Sequence, residues 1–192
     1  MRRAAMTPDY FIELYARDPD PWGFATRQYE HAKYAATLAA LPAGRFESAL
    51  EIGCSIGVLT AMLAPRCGAL SAIDPVDSAL AAATARCAAH AQVRFARMTV
   101  PQEWPAGAFD LVLLSEVVYY LTRDEIATLV ARVRASLRPH GAALLVHWTG
   151  ETDYPLSGDE AATCFIAEGA DFLDVTRQDR TPHYRLDVLA RR

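Results

Sequence analysis

The chain has 192 residues, of which 52% are hydrophobic and 22% are charged, and its formal net charge is −4. This length and composition suit one globular domain with a full core, and the acidic balance argues against a large contact with nucleic acid or an anionic membrane. The four cysteines are scattered, without the paired spacing of a zinc site or a disulfide framework. We therefore expect reduced thiols, no metal site and a cytoplasmic location. No apolar run reaches the length of a membrane span, and no signal peptide is predicted.

Helical and strand-like segments alternate along the chain. Helices are predicted at 9–17 and 26–41, on either side of the loop RDPDPWGF. Apolar runs of strand length then alternate with helical stretches: strands at 49–53, 69–74, 93–98, 109–115 and 142–148, and helices at 57–66, 76–91 and 123–139. Asp77 or Ser78 is expected to cap the second of these helices, and Thr122 the third.

The last part of the chain has a different pattern. After Trp148 come a polar loop, a helix at 159–170 and two strands at 172–178 and 183–191. The whole pattern predicts an α/β fold with a Rossmann-like, doubly wound sheet that has helices on both faces. The sheet is expected to be mostly parallel, with one antiparallel strand near the edge.

The segment Glu51 to Gly57, E-I-G-C-S-I-G, joins the first of these strands to a helix. Such a turn directs backbone N–H groups at a ligand, and Asp74 at the end of the next strand can accept hydrogen bonds from ribose hydroxyls. The turn lacks the middle glycine of a dinucleotide site and the G-K-[ST] of a P-loop, and Glu51 would repel a diphosphate. S-adenosylmethionine, a cationic nucleoside derivative without phosphate, fits this turn. The alternative is a glycine turn that serves only strand–helix packing.

Four segments together resemble class I S-adenosylmethionine-dependent methyltransferases: LEIGCSIGVLTAMLAPRC, AIDP, FDLVLLSEVVYYL and DPDPWGF. Within that class they are similar to the NodS-like group, named for a rhizobial enzyme that N-methylates the free amine of a chito-oligosaccharide precursor. The resemblance covers roughly residues 10–148. It implies a set of cofactor-binding residues: Glu51, Gly53, Cys54, Gly57, Asp74, Pro75 and Ser115. Many relatives have an aspartate for the adenine amino group where this chain has Thr99, so the Thr99 hydroxyl or the Val100 backbone is expected to replace it.

The chain is expected to form a single methyltransferase domain, 1–192, with three parts. A helical N-terminal lid occupies 1–45, a cofactor-binding core 46–148, and an acceptor-side loop, helix and hairpin 149–192. Tyr119 and Tyr120 would line the acceptor pocket. In the lid, Asp20 and Trp22 are predicted to contact the substrate. The alternative is a turn that Trp22 holds against the core.

Two residues are candidates for chemistry on the acceptor. Glu116 follows the central strand, where its carboxylate can orient an amine and accept its proton; the alternative is an acid without a catalytic role. His147, near the end of the fifth strand, is a candidate general base for an oxygen acceptor, and a buried core histidine is its alternative.

These observations predict an S-adenosylmethionine-dependent methyltransferase that N-methylates an amino sugar or an amino-bearing saccharide intermediate. The alternatives are a small-molecule O-methyltransferase that uses His147, and a non-catalytic module that binds S-adenosylmethionine. The expected partner is a small-molecule or saccharide acceptor, with no nucleic acid and no membrane, and the sequence assigns no oligomeric state.

Overall fold

The computed structural model describes residues 4–192, so the first three residues of the predicted lid, 1–45, lie outside the described residues. The chain forms two compact units. The first unit contains residues 7–99, and the second contains residues 100–192 together with residues 4–6. The predicted single domain and its three-part division stay a prediction.

The first unit is a parallel three-stranded sheet with its helices. Its elements are α1 (Pro8–Arg17), α2 (Gln28–Ala40), β1 (Phe46–Ile52), α3 (Val58–Leu63), β2 (Cys67–Asp74), α4 (Asp77–Arg86) and β3 (Val93–Arg97). The strands lie in the order β3-β2-β1, and both pairs are parallel. The connections between successive strands pass through helices, as expected of parallel neighbours.

The start of α3 depends on Gly57. Its φ of +77° is in the left-handed region, and a Cβ at this position would lie 2.8 Å from the Cα of Ala83 in α4. A residue without a side chain is therefore needed for both the turn and the close packing of α3 on α4. Gly57 therefore permits the close packing of α3 on α4, and this packing does not conflict with a ligand at the same turn.

The predicted cap of α4 is wrong. The N-cap is Val76, without a side-chain cap, and Asp77 is the first helical residue. The Asp74 carboxylate accepts a hydrogen bond from the Val76 N–H at 3.0 Å, so a carboxylate two residues upstream satisfies this donor. Asp77 instead places a negative charge in the first turn, where the helix dipole favours it.

The second unit contains a four-stranded mixed sheet. Its elements are β4 (Phe109–Ser115), α5 (Arg123–Ser136), β5 (Leu137–Trp148), α6 (Gly158–Gly169), β6 (Leu173–Arg180) and β7 (Tyr184–Arg191). The strands lie in the order β4-β5-β7-β6, and β7 is antiparallel to both of its neighbours. The predicted α/β class, with mostly parallel strands and one antiparallel strand near an edge, is confirmed.

A capping box fixes the start of α5, as predicted for Thr122. The Thr122 hydroxyl accepts from the Glu125 N–H at 3.3 Å, and the Glu125 carboxylate accepts from the Thr122 N–H at 2.9 Å. We expect Thr122→Ala to lower the free energy of unfolding by about 1 kcal/mol, because it leaves a helix N–H without its acceptor. Urea denaturation measures this. Thr128→Ala, at an exposed position of the same helix, is the control, and equal stability of the two variants would contradict the assignment.

Candidate active site

The turn between β1 and α3 is held against the end of β2. The N–H groups of Gly53 and Cys54 both donate to the Ile73 carbonyl, at 2.8 and 3.0 Å. Gly53 and Ser55 have φ values of +73° and +51°. A left-handed serine is unfavourable, and such strain is concentrated at functional sites. The Ser55 N–H donates to the Asp74 carboxylate at 2.9 Å, which holds the strained turn in place.

Asp74 is positioned to receive a further donor. It is 6% exposed, one carboxylate oxygen accepts from the Ser55 N–H and the other from the Val76 N–H. Burial raises the pKa of Asp74 to about 6, and the two backbone hydrogen bonds oppose that rise. Each carboxylate oxygen can accept a second hydrogen bond, which is the requirement for a ribose diol. Pro75 follows it and is half-buried.

Glu51, at the end of β1, is 2% exposed. Its Oε2 has no hydrogen-bond partner within residues 4–192. Burial raises the pKa of Glu51 to about 8; the Asp74 carboxylate adds to the rise and the neighbouring Thr60 hydroxyl lowers it. A buried acid of this kind fits a cationic ligand group, which would stabilise its ionised form.

Aromatic side chains link the predicted lid to the glycine turn within the first unit. The Tyr15 hydroxyl forms a hydrogen bond with the Ser55 hydroxyl. The Tyr15 ring contacts Trp22 edge-on, with 5.7 Å between ring centroids, and Trp22 stacks on Phe24 at 5.3 Å. Burial, then the Asp74 charge, raises the pKa of Tyr15, so its hydroxyl keeps its proton. The loop with Trp22 is thus connected to the turn through a short series of contacts.

Asp20 closes this loop. One carboxylate oxygen accepts from the Phe24 N–H at 2.7 Å and the other from the Ala25 N–H at 2.9 Å. Its carboxylate therefore has a structural task that the sequence reasoning did not foresee. Substrate contact by Asp20 and Trp22 stays a prediction, as does adenine contact by the half-buried Thr99 and Val100.

In the second unit, Glu116 follows β4 directly after Ser115. Its φ is +58°, which a non-glycine residue rarely adopts, at a typical cost of roughly 1–3 kcal/mol. Its backbone N–H donates to the Val146 carbonyl at 2.8 Å. Its Oε2 accepts two hydrogen bonds, from the Tyr119 hydroxyl and from the Trp148 N–H, both at 2.8 Å. The carboxylate is therefore fixed at the carboxyl end of β4.

Tyr119 and Tyr120 pack together with a third tyrosine, Tyr154. The Tyr154 ring stacks on Tyr119 with 5.0 Å between centroids and meets Tyr120 edge-on at 4.7 Å. Burial, then neighbouring charged or phenolic groups, raises the pKa of both Tyr119 and Tyr120, so Tyr119 remains a donor to Glu116. The sequence reasoning missed Tyr154. An aromatic residue within the otherwise polar loop after β5 was the available signal.

His147 is completely buried. Its Nε2 accepts a hydrogen bond from the Val118 N–H at 3.1 Å, and its ring lies edge-on to Tyr119 at 5.2 Å. This is the geometry of a core histidine and does not favour a base that meets an acceptor. Trp148 points away from it, as strand alternation predicts, and stacks on His183 at 5.5 Å.

Within residues 4–192, no group of three or more His, Cys, Asp or Glu residues could hold a metal ion. In the same residues, no helix is long and apolar enough to cross a membrane.

The amino-acid sequence matches a known protein family over most of its length. The family described as Nodulation protein S (NodS) matches residues 10–145. Nodulation protein S of Bradyrhizobium diazoefficiens is 32% identical over 137 residues, which are 69% of this chain and 63% of the relative. That of Sinorhizobium fredii is 33% identical over 124 residues, 64% of this chain and 57% of the relative. The chain thus spans about three fifths of the length of these curated relatives.

A solved structure extends the likeness to nearly the whole chain. The N-methyltransferase NodS from Bradyrhizobium japonicum, crystallised with S-adenosyl-L-homocysteine, superimposes with a TM-score of 0.80. The match covers 97% of this chain and 99% of that one, at 23% identity. At this identity the likeness concerns the fold, and it confirms the predicted Rossmann-like architecture.

Proposed function

This chain belongs to the NodS family, and on that premise we propose that it is an S-adenosylmethionine-dependent methyltransferase that N-methylates an amino sugar or an amino-bearing saccharide intermediate. One observation carries the proposal. The glycine turn after β1 is hydrogen-bonded through Ser55 to Asp74, whose buried carboxylate can still accept from a ribose.

The residues of the first unit fit this cofactor. Asp74 would bind the ribose hydroxyls, and the Gly53 turn would bind the methionine portion. The unpartnered Oε2 of buried Glu51 suits a ligand with positive charge. When bound, S-adenosylmethionine supplies a methyl group activated by a sulfonium. The protein's task is then to position the acceptor for in-line attack.

Glu116 is proposed to orient the acceptor amine. An amine attacks as the neutral base and becomes a cation as the N–C bond forms, so a nearby carboxylate stabilises that charge and accepts the proton. The hydrogen bonds from Tyr119 and the Trp148 backbone hold the Glu116 carboxylate in one position before the acceptor arrives. The burial of His147 and the bond to its Nε2 do not favour the oxygen-acceptor alternative.

The direct experiment is a methyl-transfer assay on glucosamine and its β-1,4-linked tetramer, with glucose and cellotetraose as controls without an amine. We expect a mass increase of one methyl group on the amino sugars only. Methylation of the controls instead would show an oxygen acceptor. Binding of S-adenosylhomocysteine without transfer to any acceptor would leave a cofactor-binding protein and contradict the proposed reaction.

Glu116→Gln is expected to lower kcat by about 100-fold, because the amide keeps much of the shape but neither carries charge nor accepts the proton. Affinity for S-adenosylhomocysteine should change by less than about threefold. Glu168→Gln, at an exposed position of α6, is the matched control. If Glu116→Gln turned over at the wild-type rate, Glu116 would have no role in the transfer.

A further inference from the structure

Three successive residues of β5 hold the segment that follows β4. The Glu116 N–H donates to the Val146 carbonyl, and the Trp148 N–H donates to the Glu116 carboxylate, both at 2.8 Å. Between these two backbone contacts, the Val118 N–H donates to Nε2 of the His147 ring at 3.1 Å. The His147 side chain thus adds a third hydrogen bond to the segment.

This hydrogen bond determines which nitrogen of His147 carries the proton. A backbone N–H can only donate, so Nε2 is unprotonated and the proton of the neutral ring is on Nδ1. His147 and Val118 are both completely buried. A buried N–H without an acceptor is unfavourable, so the bond keeps Val118 against the His147 ring.

The short helical turn Val118–Tyr120 connects His147 to the proposed amine-orienting carboxylate. The Tyr119 ring lies edge-on to the His147 ring, with 5.2 Å between centroids. The Tyr119 hydroxyl donates to the Glu116 carboxylate at 2.8 Å. His147 therefore contacts the backbone of the first residue of the turn and the ring of the second, and a displaced turn would take the Tyr119 hydroxyl away from Glu116.

Glu116 needs such support because its own backbone is strained. Its φ of +58° is unfavourable for a residue with a side chain. A strained conformation persists where the surrounding contacts fix it, and here those contacts come from consecutive residues of one buried strand. The bond from Val118 to His147 belongs to this set.

We propose that His147 is a positioning residue for the methyl transfer, which acts through Val118 and Tyr119 to hold the Glu116 carboxylate in the orientation that receives the acceptor amine. The inference rests on the proposed function and adds to it a buried residue that acts through another. A small misplacement of a reacting group costs a large factor in rate, so the effect is expected in kcat and not in cofactor affinity.

Two amide variants of the intact protein test the contact. The amide of His147→Gln reaches the position of Nε2 and can accept from the Val118 N–H, whereas that of His147→Asn reaches only the position of Nδ1. With glucosamine as acceptor, His147→Gln should keep kcat within about threefold of wild type, and His147→Asn should lower it roughly 10- to 100-fold. The affinity of both for S-adenosylhomocysteine should stay within about threefold of wild type.

Equal kcat values for the two variants would overturn the proposal. A loss of S-adenosylhomocysteine affinity as large as the loss in kcat would also overturn it, because a general disturbance of the structure produces that pattern.

Combination with Glu116→Gln shows whether His147 acts through the carboxylate. In that background, His147→Asn should lower kcat by less than about threefold, because the carboxylate that it positions is already absent. In the Glu168→Gln background it should keep its full effect. If the factors for His147→Asn and Glu116→Gln multiply, the two residues act independently and the proposal fails.

Amide hydrogen exchange tests the contact without turnover. Residues 116–120 should exchange at least about tenfold faster in His147→Asn than in His147→Gln. If wild type methylates no acceptor, the proposed reaction fails and this comparison decides on the positioning contact alone, which equal exchange rates would exclude. If His147→Asn does not fold, the Val118 amide of His147→Gln decides: exchange as slow as in wild type supports the contact, and faster exchange overturns it.

Discussion

Asp74→Ala is expected to bind S-adenosylhomocysteine about 10- to 150-fold more weakly than wild type. A hydrogen bond to a charged acceptor contributes about 1.5–3 kcal/mol, and the variant loses the carboxylate proposed to accept from the ribose. The loss has a second source. The Ser55 and Val76 N–H groups now donate to Asp74, so the glycine turn would also lose the bonds that hold its strained backbone. Isothermal titration measures the affinity directly.

Two further variants separate these sources. Asp74→Asn keeps one oxygen acceptor for the backbone, so it should retain more of the thermal stability than Asp74→Ala while still losing affinity. Asp77→Ala removes a neighbouring exposed acid that pairs with Arg97 at 3.7 Å, and it should bind as wild type does. Wild-type affinity in Asp74→Asn would show that the carboxylate does not bind the ligand.

Local chemistry explains which parts of the fold were predictable. β4 was predicted with both of its ends correct, because it is an apolar run whose central residues, 111–114, are completely buried. β5 was predicted from 142 but begins at Leu137. Its first residues, which include Pro139 and His140, carry no strand-like pattern. They pair only through an irregular register that places Leu137 opposite Phe109 and Ala142 opposite Leu111.

In the candidate site too, some residues could be predicted from local sequence motifs and others could not. The positions of Gly53 and Asp74 follow from short motifs at strand ends, where chain order fixes placement. The position of Tyr154 could not be predicted from a local motif. Tyr154 and Tyr119 are 35 residues apart in the sequence, and their contact depends on the conformation of the loop that carries Tyr154. The two hydrogen bonds by which Asp20 closes its loop could not be predicted from the sequence either, because only the fold shows which backbone N–H groups its carboxylate oxygens reach.

Glu51 should make the protein less stable as the pH rises. Its pKa is about 8 in the folded chain against an ordinary value of 4.5, and that of Asp74 is about 6 against 3.8. Between the ordinary and the raised value, the folded state holds a proton that the unfolded state has released, so the free energy of unfolding falls with rising pH. Below their ordinary pKa values, both carboxyl groups are protonated in the folded and in the unfolded chain, so they cause no loss of stability there. Above pH 8 this loss is present in full.

Glu51→Gln isolates this effect between pH 6 and 8, because Asp74 has passed its own pKa of about 6 while Glu51 is still losing its proton. Each pH unit in this window corresponds to at most about 1.4 kcal/mol, so Glu51 should lower wild-type stability by about 2 kcal/mol from pH 6 to 8. Glutamine cannot ionise, so the variant should lose that much less over the same range in urea denaturation. Glu168→Gln should follow wild type. Parallel curves for Glu51→Gln and wild type would mean that Glu51 is already ionised in the folded protein, and a buried anion at the end of β1 would then need a cation from another source.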